Sequence, residues 1–151
     1  MNAFAMLKAD HQRVVRMLEN IENTTDLATN DRDELFPRLK EELDLHARIE
    51  EEIFYPALED SEDTREITLE AYEEHRFVKE LLGQLEAEPK YTKEWTAKFT
   101  VLKENIEYHV EEEESELFKK ARQVLTEEEL ELLADRLQEA KRQALLSLLI
   151  G

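Results

Sequence analysis

Residues 46–56 read His46-Ala47-Arg48-Ile49-Glu50-Glu51-Glu52-Ile53-Phe54-Tyr55-Pro56. A second string, His109-Val110-Glu111-Glu112-Glu113-Glu114-Ser115-Glu116-Leu117-Phe118, follows under a shift of 63. In each, a histidine precedes a glutamate by four residues, which places both side chains on one face of a helix. The other two histidines keep the same register: His11 lies 35 residues before His46, and His75 lies 34 before His109. Their surroundings repeat as well. Asp10-His11-Gln12-Arg13-Val14 matches Glu74-His75-Arg76-Phe77-Val78 under a shift of 64, and Leu18 matches Leu82. The chain therefore reads as two copies of one helical hairpin, with a pseudo-twofold axis through the histidines.

The rest of the composition agrees with helix. Of 151 residues, 38% are charged and 41% hydrophobic, with two glycines and three prolines. Such a mixture favours helix almost throughout, and this length suits one domain over residues 1–151 with a core of its own. The absence of cysteine excludes disulfides, iron–sulfur clusters and thiolate zinc sites. A net charge of −18 disfavours nucleic acid as a partner. No stretch approaches the ~18 apolar residues of a membrane span, and no signal peptide is evident. A cytoplasmic protein with no membrane partner is the expectation.

Apolar residues stepping by three and four define the helices. Helix 1 is expected from about Asn2 to Glu22, with Phe4, Leu7, Val14, Leu18 and Ile21 inward. A polar connection, Asn23 to Asp31, leads to helix 2, from Asp31 or Asp33 to Glu59. Pro37 is expected in or near its first turns, where proline is tolerated, and Pro56 near its end. Helix 2 turns Leu39, Leu43, Ile53 and Ala57 inward. Helix 3 is expected from Asp63 to Glu86. Helix 4, from Thr92 to Arg122, carries Trp95, Phe99, Leu102, Ile106 and Leu117 on its inner stripe. Thr126-Glu127-Glu128-Glu129 is a capping box that opens a fifth helix to about Ile150. The architecture that follows is all-α: an antiparallel up-down-up-down four-helix bundle over about 3–122, with an additional C-terminal helix over about 126–150.

His11, His46, Glu50, His75, His109 and Glu113 all fall on inward stripes, and each histidine lies in the middle portion of its helix. In an antiparallel bundle, helix middles meet at one level. The four imidazoles should converge in one layer, with the glutamates about one turn, roughly 5–6 Å, along the axis. An ionised glutamate in an apolar core is costly unless paired. The stripes carry no lysine or arginine at this level, so a cation is the natural compensation. Mixed imidazole and carboxylate donors suit iron, manganese or zinc better than calcium or magnesium. Six ligands for two metals leave open positions, in a typical allocation with two histidines on each metal and both glutamates bridging. Among the acidic residues after His109, the repeat selects Glu113 over Glu112.

The segments Asp10-His11-Gln12-Arg13-Val14, His46 to Pro56, Glu74-His75-Arg76 and His109 to Glu113 together resemble the hemerythrin-like (HHE cation-binding) family, over residues 4 to 122. The resemblance implies a four-helix bundle around a non-haem di-iron centre: two iron ions, carboxylate-bridged and oxo- or hydroxo-bridged. It also implies dioxygen, peroxide or nitric oxide as small ligands. Oxygen-carrying members have a fifth histidine one turn before His75, where this chain has Ala71. That departure weighs against reversible oxygen carriage and leaves water, Tyr72 or Glu74 to fill the position. Ferritin-like di-iron proteins use Glu-x-x-His. Here the residues three before each histidine are Lys8, Leu43, Tyr72 and Ile106, which disfavours that family.

Four functions remain at the level of sequence. The first is a di-iron protein that binds dioxygen or related molecules. The second is a di-iron enzyme that decomposes hydrogen peroxide or reduces nitric oxide. The third is a metal-stabilised sensor or interaction module, and the fourth a bundle without metal. The leucines of the fifth helix exceed one narrow seam. Their expected use is to cover the bundle's side or end, with a homodimer interface as the alternative.

Overall fold

In the computed structural model, residues 2–24 and 29–150 are described. Helix α1 (Ala3–Glu22) starts where the Asn2 side chain accepts from Ala5 N–H at 2.8 Å, satisfying an amide that the first turn leaves free. Helix α2 spans Thr29–Ile49, α3 Glu62–Ala87, α4 Lys93–Glu112, α5 Phe118–Val124 and α6 Glu127–Ile150. The expected polar connection falls in part on residues 25–28, outside the described residues. Thr92 caps α4 through its side chain, and Thr126 and Glu129 form the expected capping box at 3.0 and 3.1 Å.

Two departures from a plain helix matter for the site. After Ile49, helix α2 runs on as a π-turn, Glu50–Phe54, and a 3₁₀ turn, Tyr55–Leu58. After Glu112, helix α4 runs through a second π-turn, Glu113–Leu117, directly into α5. Tyr55 N–H donates to the Glu50 carbonyl, and Phe118 N–H to that of Glu113, each five residues back. The expected helix 4 is thus continuous but carries an inserted residue of phase. Pro37 also needs correction. Because α2 begins at Thr29, this proline lies inside the helix rather than in its first turns. It is exposed, so the carbonyl that loses its helical donor is on the solvent side, where water can satisfy it.

The helices α1 to α4 form an antiparallel ring, α1 against α2, α2 against α3, α3 against α4, and α4 back against α1. Their apolar faces build two separate blocks. One contains Val14, Leu18, Phe36, Leu82, Trp95, Phe99 and Ile106. The other contains Phe4, Leu7, Phe54, Tyr55, Leu117 and Phe118, and α6 adds Leu130, Leu133, Ala134 and Leu137 to it. A polar layer separates the blocks. The first half of α6 thus covers the side of the bundle, as expected, whereas Leu145, Leu148 and Leu149 near its end are exposed.

Candidate metal centre

The layer between the blocks holds all six residues singled out in the sequence. His11 is on α1, His46 on α2, His75 on α3 and His109 on α4, and Glu50 and Glu113 open the two π-turns. Glu50 and Glu113 are buried, and so are His11, His46 and His109, while His75 is partly buried. The Nε2 atoms face carboxylate oxygens throughout. His46 and His75 lie 3.1 and 3.2 Å from Glu50 Oε1. His11 lies 3.2 Å from Glu113 Oε1 and His109 3.2 Å from Glu113 Oε2. Two groups result, His11–His46–Glu50–Glu113 and Glu50–His75–His109–Glu113, with donor atoms within 4.8 Å of one another in each. The groups share both glutamates.

The opposite ring nitrogens explain why the Nε2 atoms point inward. His11 Nδ1 lies 2.6 Å from Glu114, His46 Nδ1 3.2 Å from Asp10, His75 Nδ1 3.1 Å from Glu51 and His109 Nδ1 2.5 Å from Glu74. A carboxylate at Nδ1 fixes that nitrogen as the proton carrier and leaves Nε2 as a lone pair. These partners obey the internal repeat. Asp10 and Glu74 each precede a histidine, and Glu51 and Glu114 each follow a candidate glutamate. They stand in the very segments that define the repeat, which is the signal that could have found them.

The donor set fits a cation. Among the described residues, the buried side-chain atoms left without a hydrogen-bond partner are His11 Nε2, His46 Nε2, Glu50 Oε2 and Glu113 Oε1, all within this layer. Lone pairs of imidazole and carboxylate facing each other at about 3 Å repel unless protons or metal ions lie between them. In the metal-free chain, protons take that place. Burial works against charge on His46, but Glu50 and Asp10 outweigh it and push its pKa up to about 9. Burial likewise opposes charge on His75, while Glu50 and Glu51 push it up to about 9. His109 is held well above the ordinary histidine value by Glu113 and Glu74, again against burial. Burial would raise the Glu113 carboxyl, yet its contacts with Glu50, His109 and His11 hold it well below the usual range.

Sequence reasoning missed Tyr55. Its hydroxyl lies 2.6 Å from Glu113 Oε2, 3.2 Å from Glu50 Oε1 and 3.2 Å from His75 Nε2. Burial, with Glu113 and Glu50, raises this phenol well above its ordinary value, so in the metal-free chain it donates to the carboxylates. The extra residue of the π-turn rotates Tyr55 into the layer. Tyr72 and Glu74, the residues flagged for the position beside Ala71, do other work. Tyr72 donates to the Glu51 carbonyl at 3.3 Å and stands edge-on to Tyr55, and Glu74 serves His109. A void of ≈ 10 Å³ beside Ala71 and His109 is about the size of one water. By the repeat, the counterpart of Tyr55 is Phe118, which stacks 6.3 Å from the His11 ring and offers no donor.

All four histidines also line a cleft of ≈ 950 Å³ bordered by α2, α3 and the end of α6, with Val14, Leu43, Val78, Leu82 and Ile106 on its apolar walls.

Fold and layer together define a cation-binding four-helix bundle. The chain belongs to the hemerythrin family: residues 2–121 match the Hemerythrin HHE cation binding domain. It is similar to the uncharacterized protein Rv2633c of Mycobacterium tuberculosis, 34% identical over 142 residues, covering 91% of this chain and 83% of the relative. A DNA nickase of Nostoc sp. is 29% identical over 144 residues, but the match takes in 93% of this chain and 39% of the nickase. Among solved structures, a hemerythrin HHE cation binding domain-containing protein from Mycobacterium kansasii, a homolog of Rv2633c, superposes with a TM-score of 0.80 at 29% identity. That match covers 98% of this chain and 92% of the other. Among the described residues, no helix is long and apolar enough to cross a membrane.

Proposed function

We propose that the chain is a non-haem di-iron protein that binds dioxygen or a related small molecule. His11 and His46 hold one metal ion and His75 and His109 the other, with Glu50 and Glu113 shared. The observation that carries this reading is the pair of four-residue groups with both carboxylates in common, each Nδ1 already committed to its own carboxylate. Two irons bound there would supply open coordination positions and electrons for exchange with a small ligand.

The protein's own residues set the terms of that chemistry. Asp10, Glu51, Glu74 and Glu114 orient the imidazoles. Tyr55 holds a proton at its hydroxyl against Glu113 and Glu50, and it would offer a further oxygen donor beside His75 if iron were bound. Phe118, the counterpart of Tyr55, gives the His11–His46 side no such donor. The apolar stretch of the cleft wall, Val14, Leu43, Val78, Leu82 and Ile106, and the net charge of −18 favour uncharged ligands such as dioxygen, nitric oxide and hydrogen peroxide.

A second reading, an enzyme that decomposes hydrogen peroxide or reduces nitric oxide, draws on Ala71 and Tyr55. A phenolate oxygen is a hard anionic donor and favours the oxidised metal, whereas reversible dioxygen binding needs the reduced one. The test is to load the protein with iron, quantify metal per chain and record spectra with dioxygen, peroxide and azide. Two irons and ligand-sensitive absorption bands are expected. A chain without bound iron, unchanged in stability by His46→Ala and His109→Ala, overturns the reading. A reversible change with dioxygen selects the binding protein, and oxygen release from peroxide selects the enzyme.

A further inference from the structure

Helix α6 lies beyond the 2–121 family match, yet one of its side chains reaches the metal centre's supporting layer. Lys141 Nζ donates to Asp10 Oδ1. Arg13 donates to the same oxygen at 2.6 Å. The other oxygen, Oδ2, lies 3.2 Å from His46 Nδ1. Asp10 is 1% exposed, so these cations stand where water would otherwise solvate it. Its counterpart in the repeat is built differently. Glu74 supports His109 with 26% of its side chain exposed, and no lysine or arginine among the described residues pairs with it.

This difference has a chemical consequence. A carboxylate behind an imidazole makes Nε2 a better donor to a metal. Two cations on that carboxylate withdraw part of the effect and place positive charge near the position where a metal cation would sit. Glu74, partly exposed, carries no such cation among the described residues. We propose that Lys141 is a positioning residue that acts through Asp10 on His46, and that it makes the two metal positions unequal, with the His11–His46 position the weaker. This inference rests on the di-metal reading above. It gives α6 a part in the centre's chemistry, not only in covering the bundle.

The test is a cobalt(II) titration of metal-free protein, followed by visible absorption against a competing chelator. Lys141→Met keeps the aliphatic stem, and Arg13 remains on Asp10, so the variant should fold, which far-UV circular dichroism checks. Wild type should bind cobalt in two steps. Lys141→Met should tighten the weaker step by roughly three- to tenfold, less than the roughly 10- to 100-fold that follows loss of a direct supporting partner because Lys141 acts one contact further out, and leave the stronger step unmoved. Lys141→Arg should restore the wild-type value. Asp10→Asn should weaken the same step and erase the difference between lysine and methionine at 141, because the effect passes through Asp10. The proposal is overturned if Lys141→Met moves neither step, moves both equally, or keeps its effect beside Asp10→Asn. Wild-type protein that takes up no cobalt overturns the di-metal reading itself, and this inference with it.

Discussion

Each imidazole in the central layer has two nitrogens with separate tasks. Nδ1 meets a carboxylate that fixes the ring, and Nε2 is turned towards Glu50 or Glu113. Tyr55 is the one residue that adds a third kind of donor, and its removal is informative. Tyr55→Phe retains the ring that packs against Phe54 and His75 and deletes only the hydroxyl. In the metal-free protein, the cost should be about 1–2 kcal/mol in urea unfolding, because Glu113 loses a short hydrogen bond. In the iron-loaded protein, a phenolate-to-metal absorption band should be present in wild type and absent in the variant. Identical spectra would remove Tyr55 from the donor set. The six other residues were legible because a repeat in sequence becomes a layer in space once helical phase is applied. Tyr55 was not legible, since on an uninterrupted helix after Glu50 the inward positions are Ile53, Phe54, Ala57 and Leu58, three, four, seven and eight residues on. Ile53, Phe54 and Leu58 are indeed buried, and the π-turn adds Tyr55 to them.

The elements explain how such a layer is built at all. A π-turn spends one residue to shift the inward face by about 100°. Both turns begin at the glutamate that enters the layer, and the residue five positions later, Tyr55 or Phe118, closes the layer from below. The C-terminal helix is the other element that sequence placed but did not seat. Its capping box and leucine spacing gave its start and its apolar character, whereas the seat depends on tertiary contact with α1 and α2. The first half of α6 packs and the end does not, and that division can be measured. Leu137 is fully buried, so Leu137→Ala should cost about 2–5 kcal/mol in urea unfolding. Leu149 is 83% exposed, so Leu149→Ala should stay within about 0.5 kcal/mol. Similar costs at both positions would mean that the end of α6 is buried in solution, as in a dimer, and a protein concentration series would then reveal it.

On the scale of the whole molecule, two apolar blocks are joined through a polar layer that needs positive charge to cohere. Metal ions supply it in the proposed function, and protons supply it without them. His46 and His75 are pushed from the ordinary 6.5 up to about 9, with burial opposing and the neighbouring carboxylates prevailing. A group whose pKa is higher in the folded than in the unfolded chain stabilises the fold fully below the unfolded value. That contribution fades as pH rises through the folded value. The metal-free protein should therefore lose stability between pH 6.5 and 9. Because the chain has four histidines and all lie in this layer, no other side chain with an ordinary pKa titrates strongly in that window. With metal bound, the Nε2 lone pairs are occupied and there is no proton there to lose. The thermal midpoint of metal-free protein should fall by more than about 4 °C across the window, the shift that about 1 kcal/mol produces in a domain of this size. The iron-loaded midpoint should change much less, so the gap between the two curves should widen with pH. Parallel curves would show that metal does not replace the protons of this layer, and that something other than the six donors carries the cation.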